Sequence, residues 1–199
     1  MRARTSKQAA WRTNRRSGAF GASRGDMGMT MGLLDRLFGR SAVRKGDALY
    51  AAVVARAREE HWYIDGGVAD TVDGRFDMVA AVLSMVLLRL EAEPGNEELN
   101  AALAERFVDD MDGQLRQMGI GDIVVGKHIG RMMAMLGGRL GAYREGLAAG
   151  DLTPGLRRNL YRDQSPEDAQ VAYVDQALRG LHTRLLASKV AAFENGQLP

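Results

Sequence analysis

The stretch "DTVDGRFDMVAAVLSMVLLRLE", Asp70 to Glu91, decides the fold. Phe76, Val79, Ala80, Leu83, Val86, Leu87 and Leu90 recur at helical spacing, which predicts a core helix from Gly74 to about Glu93. Its entrance concentrates charge, with Asp70, Asp73, Arg75 and Asp77 around Gly74. Asp73 is placed to cap the first turn, and Asp77 adds negative charge where the helix dipole favours it. Arg75 opposes that dipole and calls for a specific acceptor, for which the neighbouring acids are candidates.

Working outward, the composition agrees with a helical protein. The 199 residues are 46% hydrophobic and 26% charged, enough for one packed domain with extensions. Only four prolines, and few alternating β-branched runs, favour an all-α fold, a single bundle of about five to seven helices. The absence of cysteine rules out disulfides, thiolate metal sites and cysteine nucleophiles. Met78 to Leu88, the longest nearly uncharged run, has 11 residues. A membrane span needs about 20, so no transmembrane helix is predicted.

The formal net charge of +2 hides an asymmetry. Residues 1–30 carry seven Lys or Arg against Asp26 alone, which leaves −4 on the rest. This segment is read as a flexible, disordered basic leader or as an over-extended start, because "MGLLDRLFG" from Met31 looks like a native beginning. Residues 31–43 are expected to form a short amphipathic helix with Leu33, Leu34, Leu37 and Phe38 on one side, suited to core packing or to a membrane surface. Residues 44–199 make the main helical domain.

Within that domain, one helix starts near Gly46 and breaks at Gly66 and Gly67. Asn96 is expected to cap another, carrying Leu99, Leu103, Phe107 and Met111 and stopping at Gly119. Asp122 caps a third, reaching about Gly150, in which Gly126, Gly130, Ala134, Gly138, Ala142 and Gly146 fall at every fourth position. Such a stripe makes a shallow groove for a closely packed helix, internal or a partner's. Each glycine in it gives up about 0.8 to 1 kcal/mol of helix propensity relative to alanine. "DLTPGLRRNLYRDQSPED" is read as a polar connection, after which Ser165 caps a last helix with Pro166 at its first position.

No catalytic constellation assembles. "GDIVVGKH" resembles a phosphate-cradling loop, but His128 replaces the metal-binding hydroxyl, no strand precedes it, and Ile123, Val124 and Val125 are bulky where amides must wrap phosphate. Asp109, Asp110 and Asp112 lack calcium-loop spacing, and Asp112 with Arg116 four residues on reads as an ordinary helix pair. His61, His128 and His182 lie on separate elements, and Ser41, Ser84, Ser165 and Ser188 have no nucleophile-elbow context. Lys127 and Arg131, like-charged and four apart, suit an acidic partner.

The strings "DTVDGRFDM", "DMDGQLRQMGIGD" and "VGK", in that order, resemble the ubiquinol-cytochrome c chaperone family, assembly factors for a respiratory-chain enzyme, ubiquinol-cytochrome c reductase. The resemblance spans roughly residues 44–194. It implies an all-helical, non-catalytic protein without a metal or cofactor of its own, which binds cytochrome b or its assembly intermediates. It also implies peripheral contact with a membrane surface or the ribosome, and not with DNA. The expected compartment is the cytoplasmic side of a bacterial inner membrane, or the mitochondrial matrix side. Partner contacts are expected at Asp70, Asp73, Gly74, Arg75 and Asp77, where capping or ion pairing is the competing role. Further contacts are expected at Asp109, Asp112, Arg116 and Asp122, and at Gly126, Lys127 and Arg131. A general membrane-surface adaptor or helix-binding module is the alternative reading.

Overall fold

The computed structural model describes residues 44–117, 125–162 and 164–199, with side chains at 114–117, 125–129 and 131 outside the description. The expected leader, the 31–43 helix, the Gly119 stop and the Asp122 cap therefore lie outside the described residues, as do the side chains of Arg116, Lys127 and Arg131 and the surroundings of Gly126. The described residues fall in the second of two units, which begins at Val43. They are helical without a strand. In order they form α1 (Asp47–Ala57), α2 (His61–Ile64), α3 (Val72–Glu91), α4 (Glu97–Gln117) and α5 (Val125–Ala149). Then come α6 (Thr153–Leu156), a π-helical turn (Arg157–Tyr161), α7 (Asp168–Ala187) and α8 (Val190–Glu194).

The quoted helix, α3, is the axis of the bundle. Asp77 to Leu90 are all buried, and α1, α4, α5, α7 and the π turn pack around them. A helix apolar on every side has to be wrapped on every side. Of its three buried polar residues, Asp77 belongs to the site described below and the other two are satisfied within the fold: Ser84 Oγ donates to the Ala80 carbonyl at 2.7 Å, and Arg89 spans to α7. Arg89 Nε donates to the Leu185 carbonyl at 2.9 Å, and Nη2 to the Ser188 carbonyl at 3.2 Å and to Glu93 at 2.6 Å. A guanidinium there meets the free carbonyls and negative dipole end of α7.

Three expectations are corrected. The cap of α3 is Thr71, whose Oγ1 accepts the Gly74 N–H at 3.1 Å, so Asp73 lies inside the helix and does not cap it. Gly74 is required, because a Cβ there would collide with the Ala69 carbonyl oxygen. The last long helix begins later than Ser165: Glu167 is its N-cap, in a capping box with Gln170. The stretch read as a polar connection is instead α6 and the π turn, anchored by buried Leu152, Leu156, Leu160 and Tyr161. Tyr161 seals it by donating its hydroxyl to the Gly66 carbonyl at 2.6 Å.

Candidate functional site

The charged corner at the start of α3 divides between surface and interior. Asp70 and Arg75 pair at 2.6 Å with both side chains exposed, and the Arg75 guanidinium holds the Asp70 carboxyl below its usual range. Such a surface pair adds little stability, because water and salt screen it. Asp73 is also exposed, whereas Gly74 and Asp77 face inward. The acidic run of α4 joins a network that ties α4 to α1. Asp109 accepts from Arg44 at 2.9 Å and Arg106 at 3.3 Å, Arg106 meets Asp47 at 2.6 Å, and the Tyr50 hydroxyl donates to Asp110 at 2.8 Å. Asp112 lines the cleft beside this network with Tyr50, Arg106 and Asp110.

Asp77 leads to residues the sequence reading did not single out. It is 2% exposed, and two arginines converge on its Oδ1: Arg139 of α5, and Arg162 with Nη2 at 2.6 Å. Burial pushes the Asp77 carboxyl up against the pull of both guanidiniums, and burial likewise pushes Arg139 down. The Arg139 guanidinium lies 5.2 Å over the Phe76 ring, a cation–π contact that helps hold the charge inside. Its Nη2 also reaches the Asn159 carbonyl at 3.4 Å, while Nη1 has no partner. The Tyr143 hydroxyl and Asn159 Nδ2 are buried and unpaired as well. Arg162 closes the π turn at φ 49 and ψ −114, a backbone region that costs a non-glycine residue on the order of 1–3 kcal/mol. A π turn and a strained residue together re-aim the side chains they carry.

Beside this cluster the small-residue stripe of α5 separates into two parts. Ala142 and Gly146 are buried, and a Cβ at Gly146 would come within 2.8 Å of the Asp151 carbonyl oxygen, so this end is internal packing. Gly130, Ala134 and Gly138 are exposed, and a Cβ at Gly130, Gly137, Gly138 or Gly141 would meet nothing within 4 Å. Met133 and Met135, at 45% and 39% exposure, flank the open part. The result is a low apolar face running into a patch of guanidiniums. Among the described residues no three His, Asp or Glu side chains gather as metal ligands.

The chain's resemblance to known proteins follows the same helices. A model of the ubiquinol-cytochrome C chaperone family matches residues 65–196, from the turn before α3 to the end of α8. The chain belongs to that family. It is thus an assembly chaperone of ubiquinol-cytochrome c reductase. The chaperone is also similar to a solved structure, the crystal structure of the Cbp3 homolog from Brucella abortus. The two are 29% identical, the match covers 83% of this chain and 94% of that one, and the TM-score is 0.68. Comparison with curated proteins gives no match. None of the chaperone's described helices is long and apolar enough to cross a membrane.

Signals for the missed residues existed. Leu152, Leu156 and Leu160 repeat at a spacing of four, a helical stripe inside a segment whose Pro154, Gly155 and arginines suggest a loop. The pairing of Asp77 with Arg139 has no such signal, since 62 residues separate them.

Proposed function

We propose that this chaperone binds cytochrome b or its assembly intermediates and acts by holding them, without catalysis. The observation that carries the reading is the family match over residues 65–196. The open face of α5 supports it, because Gly130, Ala134 and Gly138 with flanking Met133 and Met135 offer a low, apolar, adaptable surface to an apolar helix. Asp70, Asp73 and Arg75, exposed at the head of α3, serve as a second, polar contact. The site of action is the cytoplasmic side of a bacterial inner membrane or the mitochondrial matrix side, at the membrane surface or ribosome where the client emerges.

The test is gentle cross-linking in the native host, followed by purification of tagged chaperone from detergent extract and quantification of cytochrome b against other membrane proteins. Selective enrichment by wild type, lost in a folded Met133→Glu, Met135→Glu variant, is expected. Absence of enrichment with wild type removes the reading. Deletion of the gene is expected to deplete assembled reductase, and addition of the chaperone to purified reductase is expected to leave its activity unchanged.

A further inference from the structure

Met135, Gly138 and Arg139 of α5, with Arg158, Asn159 and Arg162, line a cleft of about 470 Å³. Three arginines line it, and two of them, Arg139 and Arg162, already share the buried carboxylate of Asp77. Arg158 is exposed and has no hydrogen-bond or ion-pair partner among the described residues. The cleft therefore carries a surplus of positive charge. Two residues of this lining leave a buried donor unpaired, Arg139 at Nη1 and Asn159 at Nδ2, and so does the O–H of Tyr143, four residues beyond Arg139 on α5. Buried donors are almost always paired, so this cluster is donor capacity beside the cleft that the fold itself does not use. Arg139 is 5% exposed and fixed by Phe76 and Asp77, so its orientation is set before any ligand comes.

The walls of the cleft indicate what carries that acceptor. Met135 and Gly138 belong at once to the cleft and to the open face of α5, so one ligand can lie along the face and reach the guanidiniums. We infer that the Arg139, Arg158 and Arg162 cleft receives a single carboxylate side chain carried on an apolar helix of the client. The guanidinium fork matches a carboxylate, and Arg139 and Arg162 each engage Asp77 through one Nη2 only, which leaves the other N–H groups of their forks for a second acceptor. The face beside it admits a helix at short range, with no side chain standing above the backbone at Gly130, Gly137 and Gly138. A buried acidic residue on an apolar segment is costly when unpaired, so a chaperone that supplies its counter-charge recognises an unassembled segment as such. This inference rests on the client reading above.

Two synthetic apolar helical peptides of ~20 residues, identical except for one central Glu or Gln, test it in neutral detergent micelles. Wild type is expected to bind the Glu peptide about tenfold more tightly, and Arg158→Ala to reduce the preference below about threefold, with Arg158→Lys keeping most of it. Far-UV circular dichroism shows that the variants are folded. Equal affinities for the two peptides overturn the inference, and so does a Glu preference indifferent to Arg158→Ala. Arg158-dependent binding of inorganic phosphate or of phosphatidylglycerol vesicles, with the peptides undistinguished, reassigns the cleft to phosphate chemistry and overturns it too. The two readings fail separately. Cytochrome b enrichment without a Glu preference sinks the carboxylate site alone, whereas a Glu preference without enrichment sinks the client assignment.

Discussion

Arg89 and Arg139 are both buried arginines, 6% and 5% exposed, yet their surroundings differ. Arg89 spends its donors on the Leu185 and Ser188 carbonyls and on Glu93, closing the end of α7. Arg139 shares Asp77 with a second arginine, leaves Nη1 unpaired, and sits among two further orphaned donors. A buried cation whose hydrogen bonds are completed by backbone belongs to the fold. One left incomplete at the wall of a cleft is available to something else.

The contrast can be broken by removing each arginine in turn. Arg139→Met strips a buried carboxylate of one of its two partners and is expected to cost about 3–5 kcal/mol in chemical denaturation. The double variant Asp77→Leu, Arg139→Met, which leaves no buried carboxylate, should cost less than Arg139→Met alone. A double variant as unstable as the sum of its singles would mean that the pair holds the fold as Arg89 does. Arg89→Met should be milder, about 2–3 kcal/mol, because the buried acceptors it abandons are neutral carbonyls and its one carboxylate partner, Glu93, is half exposed.

Smaller changes sharpen the same contrast. Thr71→Ala removes the α3 cap and should lower stability by about 1 kcal/mol while leaving client binding unchanged. Gly138→Ala works in the opposite sense. With nothing within 4 Å of its Cβ it should raise the stability of α5 by roughly 0.5–1 kcal/mol, yet weaken cytochrome b capture by raising the floor of the face. A stabilised protein with undiminished capture would place the client elsewhere. The smallest effect concerns pH near Arg89. Burial and the Arg89 charge hold His182 below its ordinary 6.5, so its contribution is present above that pH and is lost as pH falls through the depressed value. His182→Gln should flatten the decline in Tm between neutral and mildly acidic pH, as thermal melts would record.

Periodicity made α3 legible, because a helix buried all round repeats its apolar residues without a break. The first turn was harder to read. Thr71 and Asp73 both offer a capping oxygen, and the choice falls to Thr71, with Gly74 packed beneath the Ala69 carbonyl, a contact between backbones. The corner of charge looked like one surface because Asp70, Arg75 and Asp77 are close in sequence, but helical geometry turns Asp77 inward while the others stay outside. The arginine cleft was invisible for a different reason. Its residues come from α5 and a π turn, and i to i+4 spacing cannot register a turn of five.

The central position of α3 also constrains the order in which the chain can acquire its structure. Synthesis completes α3 at Glu91, whereas α7, one of its walls, begins only at Asp168. At about 5–20 residues per second the ribosome needs roughly 4–15 s to make the intervening segment. Throughout that interval a helix that ends up buried from Asp77 to Leu90 has part of its surface without a mate. A chain cut before α7 would hold α3 in that state indefinitely and should aggregate. A chaperone of assembly is, while it is being made, in need of shelter itself.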